Sequence, residues 1–286
     1  MKINLSISPC PNDTFMFWAL LHKQIATSGL TFRVDFQDIE NLNRAVAEQE
    51  YDVVKISYAR YPMVSKEYQL LTTGSAVGFG NGPLLVSRRK IYPDEMQYLR
   101  IAIPGVGTTA NMLLTIAFPE AANKKEYVFS DIEEAVMSDE ADAGVLIHET
   151  RFTYQRKGLR KILDLGEYWE KISSMPLPLG AIAVRRSLPQ EMKQKLSVAI
   201  CESIRFALQN PKMPEQFVKY HAKSMDLEVC RKHIELYVNE FSIDLGEKGE
   251  KAVALLFEKG IDAKFFSNIN EPVFVEKKQI PQDAYN

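Results

Sequence analysis

The sequence is poor in the features that assign a function quickly. Its 286 residues hold only three cysteines, Cys10, Cys201 and Cys230, far apart and with no C-x-x-C pair. Such spacing suggests neither a zinc ribbon nor a disulfide framework, and free thiols fit a reducing cytosol. Histidine is equally sparse at four residues, none spaced as a metal-binding pair such as H-x-x-x-H. No apolar run approaches the ~20 residues of a membrane span, and no Gly/Ser linker or low-complexity tract occurs. Neither sign of charge dominates: 35 basic and 37 acidic residues are interspersed, for a net charge of −2. Nothing there makes an electrostatic footprint for nucleic acid. The N-terminus, MKINLSISPCPND, has too short an apolar stretch for an export signal and reads as a first strand. The expectation is a cytoplasmic protein with a small-molecule ligand, no nucleic-acid partner, no membrane partner and an undetermined oligomeric state.

What is present is the pattern of an α/β protein. Hydrophobic residues make up 46% and charged residues 25%, a globular profile on a chain long enough for two lobes. Residues 5–7 read as a strand, broken by Ser8-Pro9-Cys10-Pro11, with Asn12 or Asp13 as the N-cap of a helix over 14–22. Residues 31–37 alternate as a second strand, 38–49 have helical spacing, and 53–57 make a third strand. This βαβ rhythm argues for a largely parallel sheet. The plan then recurs: a strand at 101–103, a Pro/Gly loop, a helix to 117, a helix over 132–137 and a strand over 143–147. Strand, proline loop and helix open each half (ISPCPNDTFMFW, IPGVGTTANMLL), and Glu-x-Asp precedes an apolar strand in each (EYDVVKIS, EADAGVLIH). The C-terminal third is helical, with a capping box at Ser187-Leu-Pro-Gln. One helix is expected to carry Cys230, Ile234, Tyr237, Val238 and Phe241 on its apolar face, and a last one runs over 246–260 and ends at a glycine. Residues 1–87 with 187–286 are expected to form a larger discontinuous lobe and 88–186 a smaller one. Crossovers near 86–98 and 175–186 leave a ligand cleft between the lobes.

A few side chains in this frame carry chemistry. His148 ends the buried strand of DEADAGVLIHE. It is either an ordinary strand end facing water or a general base in the cleft, for which an imidazole pKa near ~6.5 is suited. His22 ends the first helix, where a cation suits the dipole. His221 lies in a polar helix and reads as solvated. His233 lies beside the apolar face of its helix and reads as a partly buried, satisfied residue. Thr108-Thr109-Ala110-Asn111 opens a helix after Gly105-x-Gly107, which is neither a Walker loop nor a dinucleotide fingerprint. It is either a capped helix start or a carboxylate site built on free N–H groups. Lys55 interrupts an apolar strand, so it faces outward from a sheet edge or lies near the cleft with Ser57. Asp13 reads as an N-cap. Two classes fit: a bilobal solute-binding protein and a cofactor-free enzyme on the same architecture. The lack of a visible export signal and the histidine favour the enzyme.

The motifs SPCPNDTFMFWAL, IPGVGTTANMLL, AGVLIHETRFTY, LDLGEYWEK, MPLPLGAIAVRRSL and YVNEFSIDLGEKGEKAV resemble the 1,4-dihydroxy-6-naphthoate synthase family of the futalosine route to menaquinone. The resemblance runs in order from about residue 5 to residue 260, and residues 261–286 carry no motif of the family. It implies a two-lobed type II periplasmic-binding-protein-like fold in a cytoplasmic enzyme that needs neither metal nor organic cofactor. The implied reaction cleaves a C–C bond of cyclic dehypoxanthinyl futalosine, giving 1,4-dihydroxy-6-naphthoate and dihydroxyacetone. The family's proposed proton acceptor, the histidine of I-I-H-E, corresponds to His148. Its substrate-contacting stretch K-[LI]-S corresponds to Lys55, Ile56 and Ser57, and its T-T-A helix start to Thr109 and Ala110. Val106 and Gly107 depart from the larger or basic residues the family often has in that loop. The alternatives are the sister chorismate dehydratase and a non-catalytic binding protein.

Overall fold

The computed structural model describes residues 1–222 and 226–276. The first part of the chain runs β1 (Lys2–Ile7), α1 (Pro11–Leu21), β2 (Thr31–Phe36), α2 (Ile39–Ala47), β3 (Val53–Ser57), β4 (Tyr68–Leu70), β5 (Ala76–Gly78) and β6 (Leu84–Ser87). The middle continues with β7 (Ile101–Ile103), α3 (Thr109–Ala117), β8 (Lys124–Glu126), α4 (Ile132–Met137), β9 (Ala143–Leu146), β10 (Arg160–Asp164), α5 (Leu165–Ser173) and β11 (Leu177–Arg185). The helical end comprises α6 (Gln190–Gln209), α7 (Glu215–His221), α8 (Leu227–Tyr237), α9 (Glu240–Ile243) and α10 (Gly246–Asp262).

Two sheets form among the described residues. The first has the order β2-β1-β3-β11-β4 with β5 on β11, and the second β10-β6-β9-β7-β8. Within each, one βαβαβ unit supplies three parallel strands, β2-β1-β3 and β8-β7-β9, and one antiparallel strand crosses over to join them, β11 on β3 and β6 on β9. The sheets therefore change one strand away from the expected lobe boundaries of 87/88 and 186/187. β6 pairs in the second sheet and β11 in the first. The reason is that each crossing segment is itself an apolar, fully paired strand rather than a linker.

Three apolar clusters hold this frame. One lies behind the first sheet, where Leu5, Phe17, Ile182 and Ile200 meet under α1 and α6. One lies behind the second sheet around Ala102, Ile132 and Leu146. The largest includes Leu42, Ile56, Ile103, Leu113 and Trp169, so it draws on both sheets. Residues beyond α10 join the frame: Phe274 bridges Leu70 of β4, and Tyr61 donates to the Val273 carbonyl. Positions 277–286 of the motif-free tail lie outside the described residues.

Several helix ends differ from expectation. Pro11 opens α1 because its fixed φ and missing N–H suit the first helical position. Asp13 thus falls inside the first turn and does not cap the helix. Pro189 occupies the cap position of α6 without a side-chain cap, so Ser187 forms no capping box. The expected helix through 230–241 breaks after Tyr237, where the Asn239 side chain caps α9 by accepting from Phe241 N. Phe241 therefore packs from a separate short helix. His221 is half-buried rather than fully solvated: it stacks on Phe36 with ring centroids 4.2 Å apart and meets Phe217 edge-on at 4.4 Å. Burial accordingly pushes its pKa down.

Candidate functional site

One cavity collects side chains from both sheets and from α8. Ser8, Asn12, Asp13, Lys55, Ser57 and Gly180 come from the first sheet and its helices. Thr108, Thr109, Ala110, Ile147 and His148 come from the second, and His233 and Tyr237 from α8. Of the residues singled out in the sequence, Lys55, Ser57, Thr109, Ala110 and His148 meet here. Ile56 alternates onto the other face of β3 and is buried in the central core, as the two-residue period of a strand requires.

The floor is a buried polar network. β3 is a central strand between β1 and β11, not an edge, so Lys55 cannot reach water and is only 4% exposed. Its Nζ pairs with Asp13 Oδ1 at 3.0 Å and donates to the Gly74 carbonyl at 3.2 Å. Asp13 in turn accepts from Ser8 Oγ at 2.8 Å and from Asn12 Nδ2 at 3.0 Å. Two charges buried together are tolerable only with such additional partners. Gly180 leaves room beside the pair, since a Cβ there would stand a tight 3.0 Å from Lys55 Cε. At the strand end, Ser57 Oγ accepts from Asn43 Nδ2 at 3.1 Å, which leaves its own O–H available to a ligand.

The opposing wall comes from the second sheet. Thr108 caps α3 by accepting from Asn111 N. The Thr109 hydroxyl is already engaged: it donates to the Leu179 carbonyl at 3.0 Å and accepts from Ala59 N at 3.2 Å, tying α3 to the first sheet. What remains for a ligand is the backbone. The first-turn N–H groups of Thr109 and Ala110 have no acceptor within the helix and favour an anion.

His148 stands two residues past the end of β9. Its φ of +56° lies in the left-handed region, which costs a non-glycine residue of order 1 kcal/mol and persists where the surroundings over-determine it. Those surroundings belong to both halves of the molecule. Phe129 meets the ring edge-on at 4.8 Å, and His148 Nε2 lies 3.8 Å from Cys10 Sγ. On its other side the ring stacks against His233, with centroids 5.9 Å apart and planes 19° off parallel.

His233 is the residue that sequence reasoning missed. It is 1% exposed, and its Nε2 lies 3.0 Å from Asn12 Oδ1. Burial, then the neighbouring charges of His148, Arg151 and Lys55, push its pKa well below the ordinary value. Its helical register was legible; that α8 lies over the cavity was not. Among the described residues no group of three or more His, Cys, Asp or Glu could hold a metal ion, and no helix is long and apolar enough to cross a membrane.

Comparisons with known proteins fit this geometry. The model of the menaquinone biosynthesis family matches residues 3–262. A 1,4-dihydroxy-6-naphtoate synthase of Thermus thermophilus is 39% identical over 273 residues, covering 96% of this chain and 99% of that protein. One of the same name from Streptomyces coelicolor is 40% identical over 256 residues, 88% of this chain and 90% of that protein. A solved Archaeoglobus fulgidus protein superposes with a TM-score of 0.88 at 35% identity, over 93% of this chain and 98% of that one. An alkanesulfonate-binding protein of Xanthomonas axonopodis superposes with a TM-score of 0.70 at 10% identity, over 93% and 94% of the two chains. That last likeness concerns the fold alone, which is periplasmic-binding-protein-like.

Proposed function

This chain belongs to the menaquinone biosynthesis family, and on that premise we propose that it is a carbon–carbon lyase, a 1,4-dihydroxy-6-naphthoate synthase acting in the cytoplasm. The substrate is cyclic dehypoxanthinyl futalosine, and the second product is dihydroxyacetone. The observation that carries this reading is 39% identity to a synthase of that name over 96% of the chain.

In this reading His148 is the general base. It removes a proton from the substrate, and the electrons released break the C–C bond as the naphthalenediol becomes aromatic. Aromatisation supplies much of the driving force, so the reaction asks for no separate electron sink. The substrate carboxylate sits at the Thr109 and Ala110 amides, and Ser57 donates to a substrate hydroxyl. Lys55 sets the local charge through its pair with Asp13. Contacts from both halves to His148 support a closed arrangement in which the base is positioned and water is excluded.

The test is direct. The purified protein is incubated with cyclic dehypoxanthinyl futalosine and, separately, with chorismate. Appearance of dihydroxynaphthoate from the first is the expected result. Conversion of chorismate alone would reassign the chain to the sister dehydratase. A ligand-induced rise in Tm with no product from either would make it a binding protein.

A further inference from the structure

The hydrogen bonds around Asn12 determine a protonation state in the cavity. Asp13, paired with Lys55, presents a carboxylate that can only accept. Asn12 must therefore turn its amide NH2 toward Asp13 Oδ1, at 3.0 Å. Asn12 Oδ1 is then the atom facing His233 Nε2 at 3.0 Å, so Nε2 must carry the proton. In the neutral ring, which burial favours, Nδ1 is left with a lone pair. It is buried and has no hydrogen-bond partner among the described residues, on a ring that lines the cavity. A buried acceptor without a donor is costly in an interior and is expected where a ligand completes it.

We propose that His233 is a second substrate-contacting imidazole, held as the neutral Nε2–H tautomer by the Lys55–Asp13–Asn12 chain so that Nδ1 accepts a hydrogen bond from a substrate hydroxyl. The proposal rests on the lyase reading for the identity of the substrate, a polyhydroxylated carboxylic acid. The two stacked rings then divide their work. His148 takes up a proton during turnover, while burial first, and then the charge His148 gains and those of Arg151 and Lys55, disfavour a charge on His233. A neutral acceptor beside the base orients the sugar-derived end of the substrate without competing for its proton.

Two measurements test this. The first is the 15N spectrum of histidine-labelled, unliganded protein at pH 7, with His233 assigned by the His233→Asn variant. A neutral Nε2–H ring is expected, with an Nδ1 resonance that moves when substrate is added to the turnover-deficient His148→Gln protein. An Nδ1–H tautomer, an imidazolium, or no movement at saturating substrate overturns the proposal. The second is kinetic. His233→Phe keeps a ring but removes the acceptor, and is expected to lower kcat/KM about 10–100-fold, mostly through KM. His233→Asn places an oxygen near the former Nδ1 and should recover part of the loss. A Phe variant within twofold of the unmodified protein would count against the contact. If the unmodified protein makes no dihydroxynaphthoate, the lyase reading fails, and the tautomer in the unliganded protein decides the proposal alone.

Discussion

The two βαβαβ units of this chain match strand for strand and even bond for bond. Asn4 N donates to Asp52 Oδ2 at 2.9 Å, and Arg100 N donates to Asp142 Oδ2 at 2.8 Å. Asp52 N returns a bond to the Asn4 carbonyl at 3.0 Å and Asp142 N to the Arg100 carbonyl at 2.8 Å. Leu5 faces Val53 as Ile101 faces Ala143. A left-handed residue, Gln49 or Asp139, follows the second helix three positions before each aspartate. The units differ in where their polar groups are directed. In the first, the start of α1 opens on a proline that has no N–H, and Asp13 in its first turn is occupied by Ser8, Asn12 and Lys55. In the second, α3 opens on two first-turn amides without helical acceptors. Six positions past the matched aspartates Asp52 and Asp142 stand Tyr58 and His148. Tyr58 is fully buried and bonded to Ser75 Oγ at 2.8 Å, whereas His148 is held in a left-handed conformation at the cavity. One copy of the plan builds the floor; the other keeps its groups for the ligand.

The sharpest way to break this contrast is to mutate the matched pair. His148→Gln is expected to lower kcat about 10²–10⁴-fold, the usual worth of a general base, with little change in the denaturation midpoint. Tyr58→Phe should do the reverse, losing about 1–3 kcal/mol of stability by stranding Ser75 and leaving kcat nearly intact. Turnover kinetics and urea denaturation of both variants decide it. A His148→Gln protein with near-normal kcat would remove the residue from the mechanism.

Next in size is the floor itself. Lys55 and Asp13 are 4% and 1% exposed, so removing one partner strands a buried charge. Lys55→Met is expected to cost about 3–5 kcal/mol. Joining Asp13→Asn to it should recover a large part, because the double variant strands no charge. Urea midpoints of the single and double variants measure this. A single variant within about 1 kcal/mol of the parent would mean that the pair is hydrated, and the floor no longer self-contained.

Acid should weaken the same region. The folded-state pKa of His233 lies below its ordinary value of 6.5, so below that pH the unfolded chain takes up a proton the folded chain refuses. Stability is then unaffected by this group above about pH 6.5 and falls as pH drops below it, by up to about 1.4 kcal/mol per unit. His221 is shifted the same way by burial and adds to the slope. Urea midpoints between pH 7 and 5 should therefore fall less steeply in His233→Gln than in the unmodified protein. Equal slopes would show that His233 titrates normally.

Much of the twofold plan was legible in the sequence because its signals are local. Apolar runs of strand length, the Glu-x-Asp before β3 and β9, and the proline loops after β1 and β7 all lie within a dozen or so residues. His148 and the Thr109 helix start could be marked for the same reason. What stayed illegible depends on distant chain. Lys55 looked equally suited to a sheet edge until β11, much later in sequence, paired with β3 and closed that edge. Asp13 resembled a cap because local rules cannot register the lysine it meets. His233 sits on an ordinary amphipathic helix, and only the tertiary fold lays that helix over the cavity.

The smallest expected effect concerns the ends of the matched strands β2 and β8. Ile7 faces Phe36 as Ile103 faces Glu126, so Phe36 and Glu126 hold equivalent positions. Phe36 packs, half-buried, against Phe217 and His221 of α7. Glu126 instead crosses to the other unit, pairing with Arg44 of α2 at 2.9 Å while accepting from Val106 N at 2.7 Å, just ahead of α3. The Arg44 side chain is 61% exposed and that of Glu126 34%. An exposed pair of this kind is worth at most about 1 kcal/mol and is screened by salt. Arg44→Ala should therefore raise KM less than about fivefold at low ionic strength, and the difference should shrink toward nothing near 1 M salt. Stability should barely move, since both partners are hydrated when apart. A tenfold or larger change that salt does not diminish would mean that Arg44 touches the substrate itself, and that the first unit, like the second, reserves a charged group for the ligand.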